Sequence, residues 1–140
     1  MYREKLKFID LFCGIGGFRV AFEQACAEND IYPECVFSSD IDKYAQDIYE
    51  ENFGERPSGD ITKIDENEIP EHDFLFAGFH SQPFSIIGQM KGLNDTRGTL
   101  FFDIARILKE KKPKAFILEN VKQLVGHDNG NTLKVIVRSL

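Results

Sequence analysis

The sequence predicts an α/β fold, a parallel sheet with helices on both faces, and two observations carry that prediction. Short apolar runs alternate along the chain with stretches of helical spacing, and alternating βα units close into parallel sheets through right-handed crossovers. The chemically distinctive residues fall at the ends of the strand signals, at 13–17, Asp40, Asp60, 78–81 and 119–121. Sheets of this kind bind ligands at the carboxyl ends of their strands, near the point where strand order reverses.

The first strand is expected at residues 7–11 (KFIDL), ending at a run of glycines. From Gly17 to Glu28 the apolar residues Phe18, Ala21, Phe22 and Ala25 recur at helical spacing. Residues 35–38 read as a second strand and 42–53 as a second helix, with Asp42 able to cap it and Gly54 to stop it. Residues 59–64 suggest a short strand, and 73–77 (DFLFA) a buried one that breaks at Gly78. The polar, glycine-bearing segment 79–98 is too long for a simple connection, and loops of that length usually carry function. A third helix is expected at 99–109, a fully apolar strand at 115–118, and the start of a helix at 132–140.

A hydrophobic content of 42% with 29% charged residues is ordinary for a globular domain. No apolar run approaches the roughly 20 residues that span a bilayer, and the N-terminus carries no signal-peptide pattern. The expected location is the cytosol, with no membrane partner. Three cysteines without metal-ligand spacing read as reduced thiols, Cys26 and Cys35 as buried ones, and no metal is expected. His72 and His127 read as exposed loop residues. The net charge of −6 argues weakly against a nucleic-acid partner, and the cluster Lys109, Lys111, Lys112 and Lys114 suits a helix C-terminus.

Glycines after the first strand let a ligand approach the backbone. The dinucleotide fingerprint needs a third glycine where this chain has Arg19, so a nicotinamide-type site fits poorly. Asp40, after the second strand, stands where a carboxylate can accept from both ribose hydroxyls. Asp60 stands where one can accept from an adenine amino group. Together they point to adenosine.

Residues 10–19, DLFCGIGGFR, resemble the first signature motif of DNA cytosine-5 methyltransferases, D-L-F-x-G-x-G-G. Residues 78–85, GFHSQPFS, resemble the G-F-P-C-Q-x-F-S signature of that family, and the likeness resumes in 98–103 (GTLFFD) and Glu119-Asn120-Val121. In look the chain is nearest the GCGC-specific bacterial restriction-modification enzymes. The resemblance implies the Rossmann-like fold of class I S-adenosylmethionine-dependent methyltransferases and a bacterial cytosolic setting. The cofactor would be S-adenosyl-L-methionine, leaving as S-adenosyl-L-homocysteine. Its pocket would take in Leu11, Phe12, Gly14, Gly16, Gly17, Phe18, Asp40, Ile41, Asp60, Ile61, Gly78 and Leu100, with Phe18 packing on the adenine. Ile41 stands where the family often has an aromatic residue, so one adenine contact would be lost.

The substrate implied is a cytosine flipped out of duplex DNA. Its C5 is too electron-poor to attack a methyl donor until a thiolate adds at C6, which is covalent catalysis. The family's nucleophilic cysteine falls on Ser81, its acid near ring N3 on Glu119, and the neighbouring site-bracing residue on Asn120. Gln82, Ser85, Ile87 and Arg97 fall on the loop that would close over the DNA. A thiol has a pKa of about 8.5, and a hydroxyl lies far higher, near bulk water. The anion population therefore drops roughly seven decades, about 10 kcal/mol if only that form reacts. His80 stands beside Ser81 where the family has proline, and adjacent side chains on extended backbone point apart. Cys13 belongs to the cofactor loop and is no substitute nucleophile.

Residues 1–140 are thus expected to be the N-terminal part of a catalytic domain, incomplete on its C-terminal side and lacking the Q-x-R-x-R motif and the target-recognition domain. Double-stranded DNA would be engaged only with that missing part or a complementing chain. The expected function is cytosine-5 methyl transfer, impaired at Ser81. The alternatives are a non-catalytic S-adenosylmethionine-binding or interaction module, or one part of a split enzyme.

Overall fold

A computed structural model describes residues 2–78 and 100–119. It divides into two compact units, Met1–Ala77 with Pro113–Ile117 and Gly78–Lys112 with Leu118–Leu140. Four strands, β1 (Glu4–Leu11), β2 (Ile31–Ser39), β3 (Phe74–Gly78) and β4 (Ala115–Glu119), form one sheet in the order β2-β1-β3-β4. β1 pairs in parallel with both β2 and β3, so the strand order reverses at β1, where the glycine run begins.

Helix α1 (Gly17–Glu28) has the expected bounds, and α2 (Lys43–Phe53) begins and ends as its caps dictate. The Asp42 side chain accepts from the Tyr44 amide at 2.9 Å, and Gly54 closes the helix in the left-handed region at φ 74°. Both strands before these helices are longer than expected. The first half of β1 is charged and exposed, and β2 carries Pro33, so neither half has the apolar signature of a buried strand. Pro33 is tolerated because β2 has only β1 beside it there. A register shift between Phe8 and Ile9 marks a bulge, Cys35 pairing with Phe8 and Phe37 with Ile9.

The strand expected at 59–64 is not formed. A single parallel bridge joins Ser39 to Ser58, and the chain then turns into a 3-10 helix, Ile61–Lys63. The cause is local: the Asp60 carboxylate accepts from the Thr62 amide at 2.9 Å and hydroxyl at 2.7 Å, which curls the backbone away from the sheet. Because Ser58 lies beside β2, successive right-handed crossovers carry α1 and α2 over the same face. Phe22 of α1 accordingly packs on Phe8 and Phe76, and Tyr49 of α2 reaches Asp10.

Ile9, Leu11, Leu75 and Ala77, which alternate with these residues along β1 and β3, are also fully buried. Burial of both faces is what a parallel sheet requires. Asp73 ties three strands together at their start. Its carboxylate accepts from the Lys7 amide at 2.9 Å and lies 3.6 Å from the Lys114 ammonium, and its carbonyl accepts from Ala115. His72, expected to be exposed, is buried, with Nδ1 at 2.9 Å from the Pro70 carbonyl. Cys26 is buried as expected and Cys35 only half-buried.

In the second unit, helix α3 (Leu100–Lys111) buries Phe101, Ile104 and Ile107 and places Lys109 and Lys111 in its last turn. Among the described residues no helix is long and apolar enough to cross a membrane.

Candidate functional site

β1 ends in a turn whose shape follows from its residues. Phe12 at φ 52°, Gly14 at 55° and Gly16 at 97° all occupy the left-handed region, open to glycine at no steric cost and to phenylalanine only against strain. The Cys13 amide donates to the Ser39 carbonyl at 2.9 Å, stitching the turn to the end of β2. Among the described residues, a Cβ added at Gly14 or Gly17 would meet nothing within 4 Å, which leaves space beside both. At Gly16 the opposite holds: a Cβ would come within 2.2 Å of the Phe53 ring. Gly16 is glycine because α2 presses on it.

The structure joins Asp40, one of the two sequence-predicted aspartates, to this turn. Asp40 Oδ2 accepts from the Gly14 amide at 2.8 Å and Oδ1 from the Asp42 amide at 2.8 Å. The Asp40 amide donates to the Ser58 carbonyl at 3.0 Å, which places Asp60 only two residues beyond Asp40's neighbour. Asp60 uses Oδ1 for Thr62, and none of the described residues donates to Oδ2. The Thr62 hydrogen bonds hold the Asp60 carboxyl below its usual range, so it is an anion and an acceptor at neutral pH. Each carboxylate oxygen accepts two hydrogen bonds, so Asp40 keeps acceptor capacity despite its two backbone partners.

Ile41 and Ile15 stand exposed beside these acids, at 69% and 59%. Ile61 and Leu11 are buried. Phe12 is half-buried at the turn itself. Phe18 is half-buried on α1, its ring stacked on Phe76 at 5.5 Å between centroids and 15° between planes. Gly78 and Leu100 are half-buried at the last residue of β3 and the first of α3, and Glu119 is exposed at the last residue of β4. Ser81, Gln82, Ser85, Ile87, Arg97 and Asn120, with His80 and His127, lie outside the described residues.

Beneath the turn lies a polar network that the sequence did not disclose. Asp10 is 1% exposed and accepts from the Tyr49 hydroxyl at 3.1 Å through Oδ2, while Oδ1 has no partner among the described residues. Burial pushes its carboxyl up to about 7, outweighing the Tyr49 hydrogen bond and the charge of Arg19. Arg19, where a dinucleotide site would need glycine, donates to the Tyr49 hydroxyl at 3.4 Å, to Glu23 at 3.0 Å and to Glu55 at 2.5 Å. Its guanidinium lies 4.5 Å from the centroid of Phe53, the ring that presses on Gly16. A buried acid, a phenol and a cation therefore set the height of the loop. The Cys13 thiol, buried beside Asp10 and Asp40, has its pKa raised and stays protonated. It is no nucleophile.

Among the described residues no group of three or more His, Cys, Asp and Glu is placed to hold a metal ion. What the site offers is an organic fit. Two carboxylates suit hydroxyl and amino donors, open space beside two glycines admits a ligand close to backbone, and exposed isoleucines provide an apolar rim.

The chain is 58% identical over 135 residues to the type II methyltransferase M.HhaI of Haemophilus parahaemolyticus, covering 96% of this chain and 39% of that protein. It is 61% identical over 133 residues to the type II methyltransferase M.HaeII of Haemophilus aegyptius, covering 95% of this chain and 40% of that protein. The chain thus spans about two fifths of the length of these relatives. Its fold matches the Entamoeba histolytica methyltransferase EhMeth with a TM-score of 0.74 at 25% identity, over 96% of this chain and 43% of that one. The S. pombe Dnmt2 methyltransferase shares the fold with a TM-score of 0.71 at 24% identity, over 95% of this chain and 41% of that one. The architecture is that of class I S-adenosylmethionine-dependent methyltransferases. The pattern of the family described as C-5 cytosine-specific DNA methylase matches residues 6–140, and the chain belongs to that family.

Proposed function

We propose that this chain is the S-adenosylmethionine-binding part of an enzyme that methylates C5 of a flipped cytosine in double-stranded DNA, impaired because Ser81 replaces the nucleophile. The carrying observation is the joining of Gly14 and Asp40 through one hydrogen bond, with Asp60 delivered alongside by the Ser39–Ser58 bridge. When bound, the cofactor supplies the methyl group. Asp40 orients the ribose through its hydroxyls, Asp60 accepts from the adenine amino group, and the open space beside Gly14 and Gly17 takes the methionine end. Phe18, half-buried with one ring face stacked on Phe76, packs on the adenine with its other face, and Phe12 adds to the pocket at the turn. Ile41, Ile61 and Leu11 complete the lining from the first unit, and the family pattern matched over residues 6–140 is the ground for counting Gly78 and Leu100 as cofactor residues.

On the substrate side, Glu119 holds a proton near cytosine N3 and Asn120 braces it. Gln82, Ser85, Ile87 and Arg97 meet the DNA, in company with the C-terminal part that the relatives possess or a chain that supplies it. The setting is a bacterial cytosol. The serine hydroxyl lacks the acidity to add at C6 as an anion, so turnover is lost or strongly reduced. The bonding of Asp40 to the Gly14 turn in a chain with serine at position 81 also favours a second reading, a binding module that retains the cofactor without using it.

Calorimetric titration with S-adenosylhomocysteine tests the first half, and saturable binding to one site is expected. Methyl transfer to DNA by Ser81→Cys, combined with the C-terminal part of a relative, tests the second. Recovery of transfer shows that Ser81 is the lesion, and an inert Ser81→Cys complex shows that it is not; transfer by the unsubstituted chain in the same complex sinks the binding-module reading.

A further inference from the structure

We propose that Gln46 is a positioning residue for the ribose-binding acid, acting on Asp40 through its backbone, with Arg56 fixing the orientation of the Gln46 amide. This rests on the assignment of Asp40 to the ribose hydroxyls. Gln46 lies on the first turn of α2 and is only 8% exposed, unusual for a glutamine on a helix that carries Tyr44 at 81%. Its Nε2 donates to the Asp40 carbonyl, and its Oε1 accepts from Arg56 Nη2 at 3.1 Å. That pairing decides which end of the amide is which, because a carbonyl demands a donor and a guanidinium an acceptor. Arg56 is held in turn by Asp47 at 2.8 Å and Glu50 at 2.9 Å.

The result is an acid gripped on every side that does not face a ligand. The Asp40 amide is bound to Ser58, its carbonyl to Gln46, and its carboxylate to Gly14 and Asp42. The two backbone contacts come from opposite flanks and fix the peptide planes on either side of the Asp40 Cα. Where a residue's φ and ψ are pinned in this way, its side chain is aimed before the ligand arrives, and preorganisation is realised as affinity. Gln46 makes the contact that Ser58 cannot, and Arg56 keeps it from rotating away. Without Gln46 the Asp40 carbonyl is left without this donor and the plane between Asp40 and Ile41 is free to tilt.

A role confined to packing α2 would weaken every ligand of the site equally. A role in aiming Asp40 weakens only ligands that carry the ribose hydroxyls. The test is calorimetric titration of the unsubstituted chain and of Gln46→Met, Gln46→Glu and Arg56→Met. The ligands are S-adenosylhomocysteine and its 2′,3′-dideoxy analogue, with circular dichroism reporting the fold. The unsubstituted chain is expected to prefer the hydroxylated ligand by about tenfold or more, the value of one or two hydrogen bonds to a charged acceptor. Gln46→Met is expected to cut that preference to about twofold while the dideoxy analogue binds as before. Gln46→Glu loses the donor but keeps the acceptor for Arg56, and does the same if Gln46→Met fails to fold. Arg56→Met, on a half-exposed side chain, is expected to give an intermediate loss of about threefold.

Equal weakening of both ligands, or an unchanged preference in the two Gln46 variants, overturns the proposal. Binding by the unsubstituted chain without any preference overturns the ribose role of Asp40, and this proposal with it. No binding of either ligand overturns the cofactor assignment itself.

Discussion

The Gly14 amide donates to Asp40 Oδ2 at 2.8 Å across 26 residues of sequence, so the acid that ends β2 holds open the turn that ends β1. One side chain thus has two duties, shaping the loop and presenting acceptors beside it. Asp60 has a different arrangement: its local bonds all go to Thr62, within its own turn.

That contrast sets the first expectation. Asp40→Ala loses the loop contact and the acceptor together, and should weaken S-adenosylhomocysteine binding about 30-fold or more, near 2 kcal/mol. Asp60→Ala should weaken it about tenfold and, because the cap on Thr62 goes with it, lower stability by about 1 kcal/mol. Titration calorimetry and a thermal melt on each variant measure both. A larger effect at Asp60 than at Asp40 would reverse the assignment.

The glycines of the turn separate strain from space. Gly16→Ala forces a methyl into the Phe53 ring at φ 97°, and should cost about 3 kcal/mol or more in a urea titration. Gly14→Ala meets no neighbour but keeps the left-handed backbone at φ 55°, and should cost about 1 kcal/mol. Gly17→Ala starts a helix with no positive φ and no clash, and should leave stability unchanged or raise it by about 0.5 kcal/mol. It narrows the space beside the loop nonetheless, so ligand affinity should fall with the fold intact.

Asp10 gives the protein a slope in pH. Its folded carboxyl titrates at about 7, against an ordinary value of 3.8. Between those values the folded chain keeps a proton that the unfolded chain has released. Stability from this group is therefore fully present below the unfolded value and is lost as pH rises toward the folded one. The shift corresponds to about 4 kcal/mol. Asp10→Asn keeps an acceptor for Tyr49 without a charge, and should flatten the fall in stability between pH 4 and about 7 seen in the unsubstituted chain. Denaturant titrations at several pH values read it directly. Identical slopes in the two proteins would show that Asp10 is not the source.

Arg19 should be the most sensitive cation of the described residues. Arg19→Met removes the partner of Glu23, Glu55 and Tyr49 and the charge over Phe53, and should destabilise by about 2 kcal/mol, discounted for the half-exposed glutamates. Arg19→Lys keeps the charge but loses the planar fork, and should recover about half of that. Ligand affinity should fall in step, because Phe53 then loosens from Gly16.

What the sequence revealed and what it hid divide along one physical line. Helices α1 and α2 were legible because their signals are local: apolar spacing from Phe18 to Ala25, and caps at Asp42 and Gly54. The place of Asp40 beside the turn was legible because it directly follows an apolar strand signal. The edge half of β2 was not, since pairing on one side leaves no alternation to read. The supposed strand at 59–64 failed because one aspartate's taste for its own turn outweighed β-branched neighbours. His72 looked like a surface histidine because nothing local announces burial. Hidden most completely were Asp10, Arg19 and Tyr49, which meet across 30 and 39 residues, and Gln46, an unremarked polar residue on a helix. Their partners exist only in the fold.

The position of β1 between β2 and β3 has a consequence for how the protein is made. A chain emerging from the ribosome completes α1 early, yet the second neighbour of β1 begins only at Phe74. Until then Phe8, Phe18 and Phe22 have no Phe76 to pack on, and one edge of β1 stands open. Parallel pairings at such separation close slowly. The nascent segment therefore passes through a stage with a bare aromatic cluster and an unpaired strand, the kind of surface that chaperones hold and that aggregates when they do not.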